Sequence, residues 1–123
     1  MTANTTDVGI DFDHLKRYTG DDPALIDEVL TMFAEQAGMW LRGLDPKADS
    51  ESWVSVAHAL KGSAQTLGAT RLGELCDRAE AMVTDDDTPK REWIAGEIEA
   101  EVKSLDAAIQ RWRYERNMKA MRG

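Results

Sequence analysis

Apolar residues return every three or four positions along most of this 123-residue chain, and this spacing restricts its fold more than any other feature. Such spacing gives a helix one apolar face, whereas a half-buried strand needs an apolar residue at every second position. One such series runs from Ile26 to Leu44, and another runs from Ile94 to Trp112. No stretch shows the alternation of a strand. The sequence therefore predicts an all-α protein.

Capping residues divide this pattern into one short helix and four long ones. Asp22-Pro23 and Thr88-Pro89 each place a cap residue before a proline, which favours the first helical position. Gly68 suits the left-handed residue that often closes a helix, and Thr70 is expected to cap the next one. Four long amphipathic helices with short loops are expected to form an antiparallel up-down-up-down bundle, with the short N-terminal helix over one end.

The short helix is expected from about Asp11 to Tyr18, with Phe12, Leu15 and Tyr18 as its packing side. His14 is expected to be an ordinary surface histidine. Residues 1–10 are polar and without periodicity, so we expect a flexible N-terminus before a bundle that covers residues 11–112.

The remaining residues, 113–123, form a basic tail. From residue 111 onward the net charge is +4, whereas the preceding residues carry −12. Two hypotheses remain open for this tail: a helical extension that docks on an acidic partner, or a disordered end.

Composition restricts the class of protein. A hydrophobic share of 42% and a charged share of 31% are typical of a single globular domain. The net charge of −8 argues against general nucleic-acid binding. No apolar run is long enough for a membrane span, and the N-terminus lacks the form of a signal peptide. We therefore expect a cytoplasmic protein that does not bind a membrane.

The single cysteine, Cys76, excludes an internal disulfide. It falls on the apolar face of its helix with Leu72, Leu75 and Ala79, so it is expected to pack as a small hydrophobic residue. The same inward face is expected to continue to Met82 and Val83.

His58 does not belong to the apolar face of its helix. It precedes Leu60 by two residues, which is a rotation of about 200° around the helix axis. Lys61 and Gly62 follow His58 by three and four residues, so they share its outward face. Glycine inside a helix costs about 1 kcal/mol relative to alanine, so the absence of a side chain at Gly62 is expected to serve a purpose. Imidazole is substantially neutral, and hence nucleophilic, near pH 7.

The segment His58-Ala59-Leu60-Lys61-Gly62-Ser63-Ala64, with Gly68-Ala69 beyond it, resembles the phosphorylation-site signature of histidine-containing phosphotransfer (Hpt) domains. The resemblance covers about residues 11 to 110, and it includes the turn Gly20–Pro23 and the helix from Cys76 to Glu80. It implies a helical bundle that accepts a phosphoryl group from an aspartate of a receiver domain and passes it to another.

The resemblance also implies roles for individual residues. His58 would be phosphorylated on Nε2, while Glu80, which stands 22 residues later, would hold the other ring nitrogen. Helical spacing adds that Lys61 supplies a point charge suited to phosphoryl oxygens one turn along, and that Gln65, seven residues after His58 on the same face, could add a polar contact. Gly62 would leave room for the receiver domain. The residues expected on the docking surface are Leu15, Val54 and Ser55.

The expected partners are receiver domains of response regulators and a histidine kinase or hybrid kinase, and the protein is expected to be a monomer. The chain has no Walker-type loop, no kinase-like glycine loop and no acidic cluster for Mg²⁺ beside His58. We therefore expect a phosphocarrier without kinase or ATPase activity, with no metal or cofactor of its own. The Mg²⁺ ion is expected on the partner receiver domain.

Three alternatives remain. The bundle could bind receiver domains as an adaptor without being phosphorylated. A metal-carboxylate enzyme would need Glu-x-x-His pairs on facing helices, and neither His14 nor His58 has a glutamate three residues before it. The domain could also come from a hybrid kinase, although a chain that begins with methionine and lacks a linker-like start is expected to be free-standing.

Overall fold

The computed structural model describes residues 9–84 and 87–122, and these residues form five α-helices and no strand. The helices are α1 (Phe12–Thr19), α2 (Pro23–Gly43), α3 (Ser50–Leu67), α4 (Thr70–Glu80) and α5 (Thr88–Arg122). The prediction of an all-α fold is confirmed. None of the helices in this part of the chain combines the length and the apolar character needed to cross a bilayer.

The four long helices surround one core. Helix α3 packs against α2 and α4, while α5 closes the bundle by packing against the same two helices. Helix α1 lies across α2 and α3. Cys76 is fully buried, as predicted from its position on the apolar face of α4. Among the largest side chains with no exposed surface are Leu30, Leu60, Leu72, Ile98 and Leu105.

The helix ends follow the predicted capping residues except at Thr70 and Thr88, each of which is the first residue of its helix and not its cap. The Asp22 carboxylate accepts a hydrogen bond from the backbone N–H of Ala24 at 3.0 Å at the start of α2. Gly68 closes α3 with a φ of 75°. Thr70, predicted as the cap of α4, is instead its first residue, and the cap position is held by Ala69 without a side-chain hydrogen bond. The reason is that only two residues separate α3 from α4.

Two apolar residues predicted to pack inward are exposed. Tyr18 is 63% exposed because the buried face of α1 runs from Leu15 to Thr19, four residues later. The Thr19 hydroxyl donates a hydrogen bond to the carbonyl of Leu15 at 2.8 Å. Val83 is 51% exposed because α4 ends at Glu80 and leaves Val83 in the following loop. Ile10, predicted within the flexible N-terminus, is fully buried in the core.

Helix α5 does not end with its apolar series but continues to Arg122. Arg113 Nε donates to the Asp27 carboxylate on α2 at 2.8 Å, and Arg116 Nη1 lies 3.5 Å from the other oxygen of that carboxylate. The first turn of the predicted tail is therefore helical and bound to α2. Residues 1–8, Asp85, Asp86 and Gly123 lie outside the described residues, and so does most of the segment predicted as a flexible N-terminus.

Candidate functional site

His58 lies near the middle of α3 and faces outward. Its side chain is 74% exposed, whereas Ala57 and Leu60 beside it in the sequence are fully buried. This is the orientation that the helical spacing predicts. A reagent or partner can therefore reach the imidazole ring from solvent while the helix that carries it stays fixed in the bundle.

Glu80, the last residue of α4, holds one nitrogen of this ring. Its Oε1 lies 3.3 Å from His58 Nδ1, and its side chain is only 21% exposed. An ionised carboxylate can only accept hydrogen bonds, so the neutral tautomer that makes this bond carries its proton on Nδ1. That tautomer leaves the lone pair of Nε2 free for nucleophilic attack.

Lys61 brings a cation to the same carboxylate. Its ammonium lies 2.9 Å from Asp77 Oδ1 and 3.6 Å from Glu80 Oε1. The hydrogen bond to Asp77 raises the pKa of Lys61 above its ordinary value, against an opposing effect of desolvation. Lys61 is therefore positively charged at neutral pH, and one carboxylate oxygen separates it from the ring of His58.

Gly62 borders open space. A Cβ atom added to Gly62 would have no neighbour within 4 Å among the described residues, so no contact with them requires glycine there. The residue lines a groove of about 360 Å³ between α1, α2 and α3. Tyr18, Val29 and Met32 supply apolar side chains to this groove, and Met32 is 56% exposed. An apolar surface open to solvent therefore begins one helical turn from His58.

Comparison with known proteins agrees with this geometry. The family model described as the Hpt domain matches residues 25–113, which includes His58, Lys61 and Glu80. The chain belongs to the Hpt family. The structure is similar to the crystal structure of histidine phosphotransferase ShpA from Caulobacter crescentus, with a TM-score of 0.71 and 29% identity. This similarity covers 92% of the present chain and 98% of the other. Among curated proteins, none matches the chain.

The expected docking residues of this Hpt domain have different surroundings. Ser55 is exposed one turn before His58, and Val54 is partly buried against the core. Leu15 has no exposed surface, so it cannot contact a partner and the prediction that it lies on the docking surface is wrong. The physical reason is that Leu15 is the residue by which α1 packs onto the bundle. The exposed apolar residue of α1 is Tyr18.

Gln65 lies in a different depression from Gly62. It is exposed on α3, and the depression that it lines lies between α1, α3 and α4 and contains Lys61, Asp77 and the half-buried His14. Gln65 thus shares a surface with Lys61 on the α4 side of the Hpt domain. Within residues 9–84 and 87–122, no group of three or more His, Cys, Asp or Glu side chains is arranged to hold a metal ion.

The end of α4 is fixed by two side chains that we call the α4 clamp, Trp53 and Arg91. Trp53 Nε1 donates to the carbonyl of Ala79 at 2.7 Å, and Arg91 Nε donates to the carbonyl of Met82 at 3.0 Å. Both clamp residues are at most 1% exposed, and the Arg91 guanidinium lies 5.2 Å from the centre of the Trp53 ring. Since Glu80 lies between the two bound carbonyls, the clamp sets the position of the group that orients His58.

Proposed function

We propose that this Hpt domain is a phosphocarrier of a phosphorelay, which accepts a phosphoryl group on His58 Nε2 and passes it to an aspartate of a response regulator. The observation that carries the proposal is the exposed ring of His58, whose Nδ1 lies 3.3 Å from Glu80. That arrangement combines an accessible nucleophile with a fixed tautomer.

The chemical step balances without a proton donor. The lone pair of His58 Nε2 attacks the phosphorus of the phosphorylated aspartate, the bond from phosphorus to the aspartate oxygen breaks, and the aspartate leaves as a carboxylate. The ring then carries a positive charge and still has its Nδ1 proton, and the carboxylate of Glu80 stabilises both. Transfer of this kind depends mainly on positioning and on neutralisation of charge.

Lys61 and Gly62 would serve the incoming group. The Lys61 ammonium is a point charge suited to phosphoryl oxygens, and it already lies beside Glu80. The open space at Gly62 would let the receiver domain bring its aspartate up to the ring. The receiver domain would supply the Mg²⁺ ion, so the carrier would need no kinase or ATPase machinery of its own.

The groove beside Gly62 is the surface that we assign to the receiver domain. It is lined by exposed apolar side chains, Tyr18 and Met32 among them, next to a site that a partner must reach. Carriers exchange partners repeatedly, so the interface is expected to be small and transient. Upstream, a histidine kinase or hybrid kinase would load the receiver domain that donates the phosphoryl group.

Phosphotransfer from a labelled receiver domain tests the proposal. The protein is incubated with a panel of phosphorylated receiver domains, and the label on each chain is followed with time. We expect label on the wild-type chain and on the His14→Gln control, and none on His58→Gln. Label that persists in His58→Gln would refute the assignment. Binding to receiver domains without any label on the wild type would instead indicate an adaptor.

A matched pair of glycine variants tests the docking surface. Gly62 and Gly96 both lie within helices, and a Cβ atom at either position would meet no neighbour within 4 Å. Gly62→Gln is expected to fold but to slow transfer strongly, because the new side chain occupies the approach of the receiver domain. Gly96→Gln, on α5, is expected to transfer at the wild-type rate. Equal rates for the two variants would contradict the proposed surface.

A further inference from the structure

Asp77 is a charged neighbour of the candidate site for which neither the helical pattern nor the family resemblance assigned a role. It lies on α4 one turn before Glu80, so both carboxylates point toward α3. Asp77 Oδ1 lies 2.9 Å from Lys61 Nζ, whereas Glu80 Oε1 lies 3.6 Å from it. The shorter contact of the lysine is therefore with the carboxylate that does not touch His58.

The two ends of this ion pair differ in exposure. The side chain of Asp77 is 68% exposed and that of Lys61 is 24% exposed. An exposed pair of this kind is weak and exchanges readily, so Asp77 can release the lysine when a stronger anion arrives. A phosphoryl group on His58 would be such an anion, because it carries close to two negative charges and three acceptor oxygens.

Lys61 therefore has two competing positions. In the structure its ammonium is held by Asp77, and a phosphorylated His58 would draw it toward the phosphoryl oxygens. The site contains one cation and two carboxylates before any phosphoryl group arrives. Each carboxylate that stays paired with Lys61 reduces the extent to which Lys61 can neutralise the negative charge of a phosphoryl group on His58.

We propose that Asp77 tunes the phosphoryl-transfer potential of His58 by competing with the phosphoryl group for Lys61. This inference rests on the proposed function and adds to it a residue that controls how strongly the carrier retains its cargo. A carrier must both accept and release the group, so a competitor that weakens retention favours onward transfer. Asp77 is a positioning residue, because it acts through Lys61 and not on the reacting atoms.

The first measurement needs no phosphotransfer. The titration of the Lys61 ammonium is followed by NMR in the wild type and in Asp77→Asn. The hydrogen bond from Asp77 is the largest cause of the raised pKa of Lys61, so the pKa is expected to fall in the variant. An unchanged pKa would mean that Asp77 does not hold Lys61 in solution, and it would overturn the inference while leaving the proposed function intact.

The second measurement is a double-mutant cycle on the equilibrium between phosphorylated receiver domain and phosphorylated His58. Asp77→Asn is expected to shift this equilibrium toward phosphorylated His58 by about two- to five-fold, the range of an exposed ion pair. In a Lys61→Gln background the same substitution is expected to have almost no effect. A shift of equal size in both backgrounds would refute competition for Lys61 and indicate simple repulsion between charges.

Glu74→Gln is the matched control. Glu74 is an exposed carboxylate one turn before Asp77 on α4, and it lines the same depression. Its removal changes the net charge by the same amount, and it is expected to leave the equilibrium within about 1.5-fold of the wild type because exposed charges at this range are screened. A shift as large as that of Asp77→Asn would contradict the inference. If the wild type accepts no phosphoryl group from any receiver domain, the proposed function itself fails.

Discussion

Arg91 is expected to be the most important polar side chain for the stability of this bundle. It is 1% exposed. Its guanidinium donates to the loop between α2 and α3, to the first residue of α3 and to the loop between α4 and α5. Nη1 donates to the carbonyl of Ala48 at 3.1 Å, Nη2 donates to Ser50 Oγ at 2.9 Å, and Nε donates to the carbonyl of Met82 at 3.0 Å. The residue thus joins α5 to the start of α3 and to the end of α4.

The size of the effect follows from these contacts. A hydrogen bond from a charged donor contributes about 1.5–3 kcal/mol, and an acceptor that stays buried without a partner costs about 1–3 kcal/mol. Two acceptors of Arg91, the carbonyls of Ala48 and Met82, lie in loops, where water can replace part of the lost hydrogen bonding. We therefore expect Arg91→Gln to lower the free energy of unfolding by about 3–5 kcal/mol, the sum of one or two of these contributions. That is a large part of the about 5–15 kcal/mol by which such domains are stable.

Urea denaturation of a matched set of variants measures this effect. Arg78 also lies over a tryptophan, with its guanidinium 5.1 Å from the Trp93 ring, but it is exposed on the surface of α4. Arg78→Gln is expected to cost no more than about 1 kcal/mol, because exposed cation–π contacts contribute about 0.5–1 kcal/mol. Arg91→Lys keeps the charge but loses the planar set of donors of the guanidinium. Its loss in the free energy of unfolding should therefore lie between those of Arg91→Gln and Arg78→Gln. A loss below about 1 kcal/mol in Arg91→Gln, or equal losses at both arginines, would refute the reasoning.

Three further predictions concern other parts of the chain. Gly68→Ala is expected to lower the free energy of unfolding by about 1–3 kcal/mol in urea titrations. The reason is that the φ of Gly68 is 75° and the new Cβ would lie 3.0 Å from the carbonyl oxygen of Asp11. An unchanged midpoint would contradict this prediction. Arg113→Ala should weaken the attachment of the end of α5 to Asp27, to which Arg116 still lies close, so limited proteolysis should remove the last turns faster than in the wild type. Equal rates would count against the docked helix. Burial raises the pKa of Cys76 to about 12, so at pH 8 the thiol stays protonated and should react with a disulfide reagent far more slowly in native protein than in urea.

The helices and the direction of His58 could be predicted because both depend on local spacing. The offset between His58 and Leu60 follows from 3.6 residues per turn, and the structure keeps it. The contact with Glu80 depends on how α4 packs against α3, so spacing alone could not give it, and it was expected only from the family resemblance. Tyr18 was placed inside because it follows Leu15 by three residues, whereas the buried face of α1 takes the four-residue step from Leu15 to Thr19.

Two residues that matter were missed for physical reasons. Arg91 stands three residues before Ile94, in phase with the apolar series of α5, so its position was available as a signal, but an arginine in a core series carries no indication of its partners. In the sequence, Asp77 is one of three carboxylates on α4 and gives no sign that it differs from a solvated one. Only the packing of α4 against α3 brings it to Lys61.

The α4 clamp allows the ring of His58 to be exposed while Glu80, the group beside the ring, stays fixed. The proposed transfer requires that a partner reach His58, so the residues around its ring cannot enclose it, and its side chain is 74% exposed. Glu80 beside it is 21% exposed, and Trp53 below has no exposed surface. The buried side chains of Trp53 and Arg91 thus fix Glu80 in place, because they bind the carbonyls of Ala79 and Met82 on either side of it. Loosening Trp53 or Arg91 should therefore slow phosphotransfer even in variants that remain folded and keep His58 fully accessible.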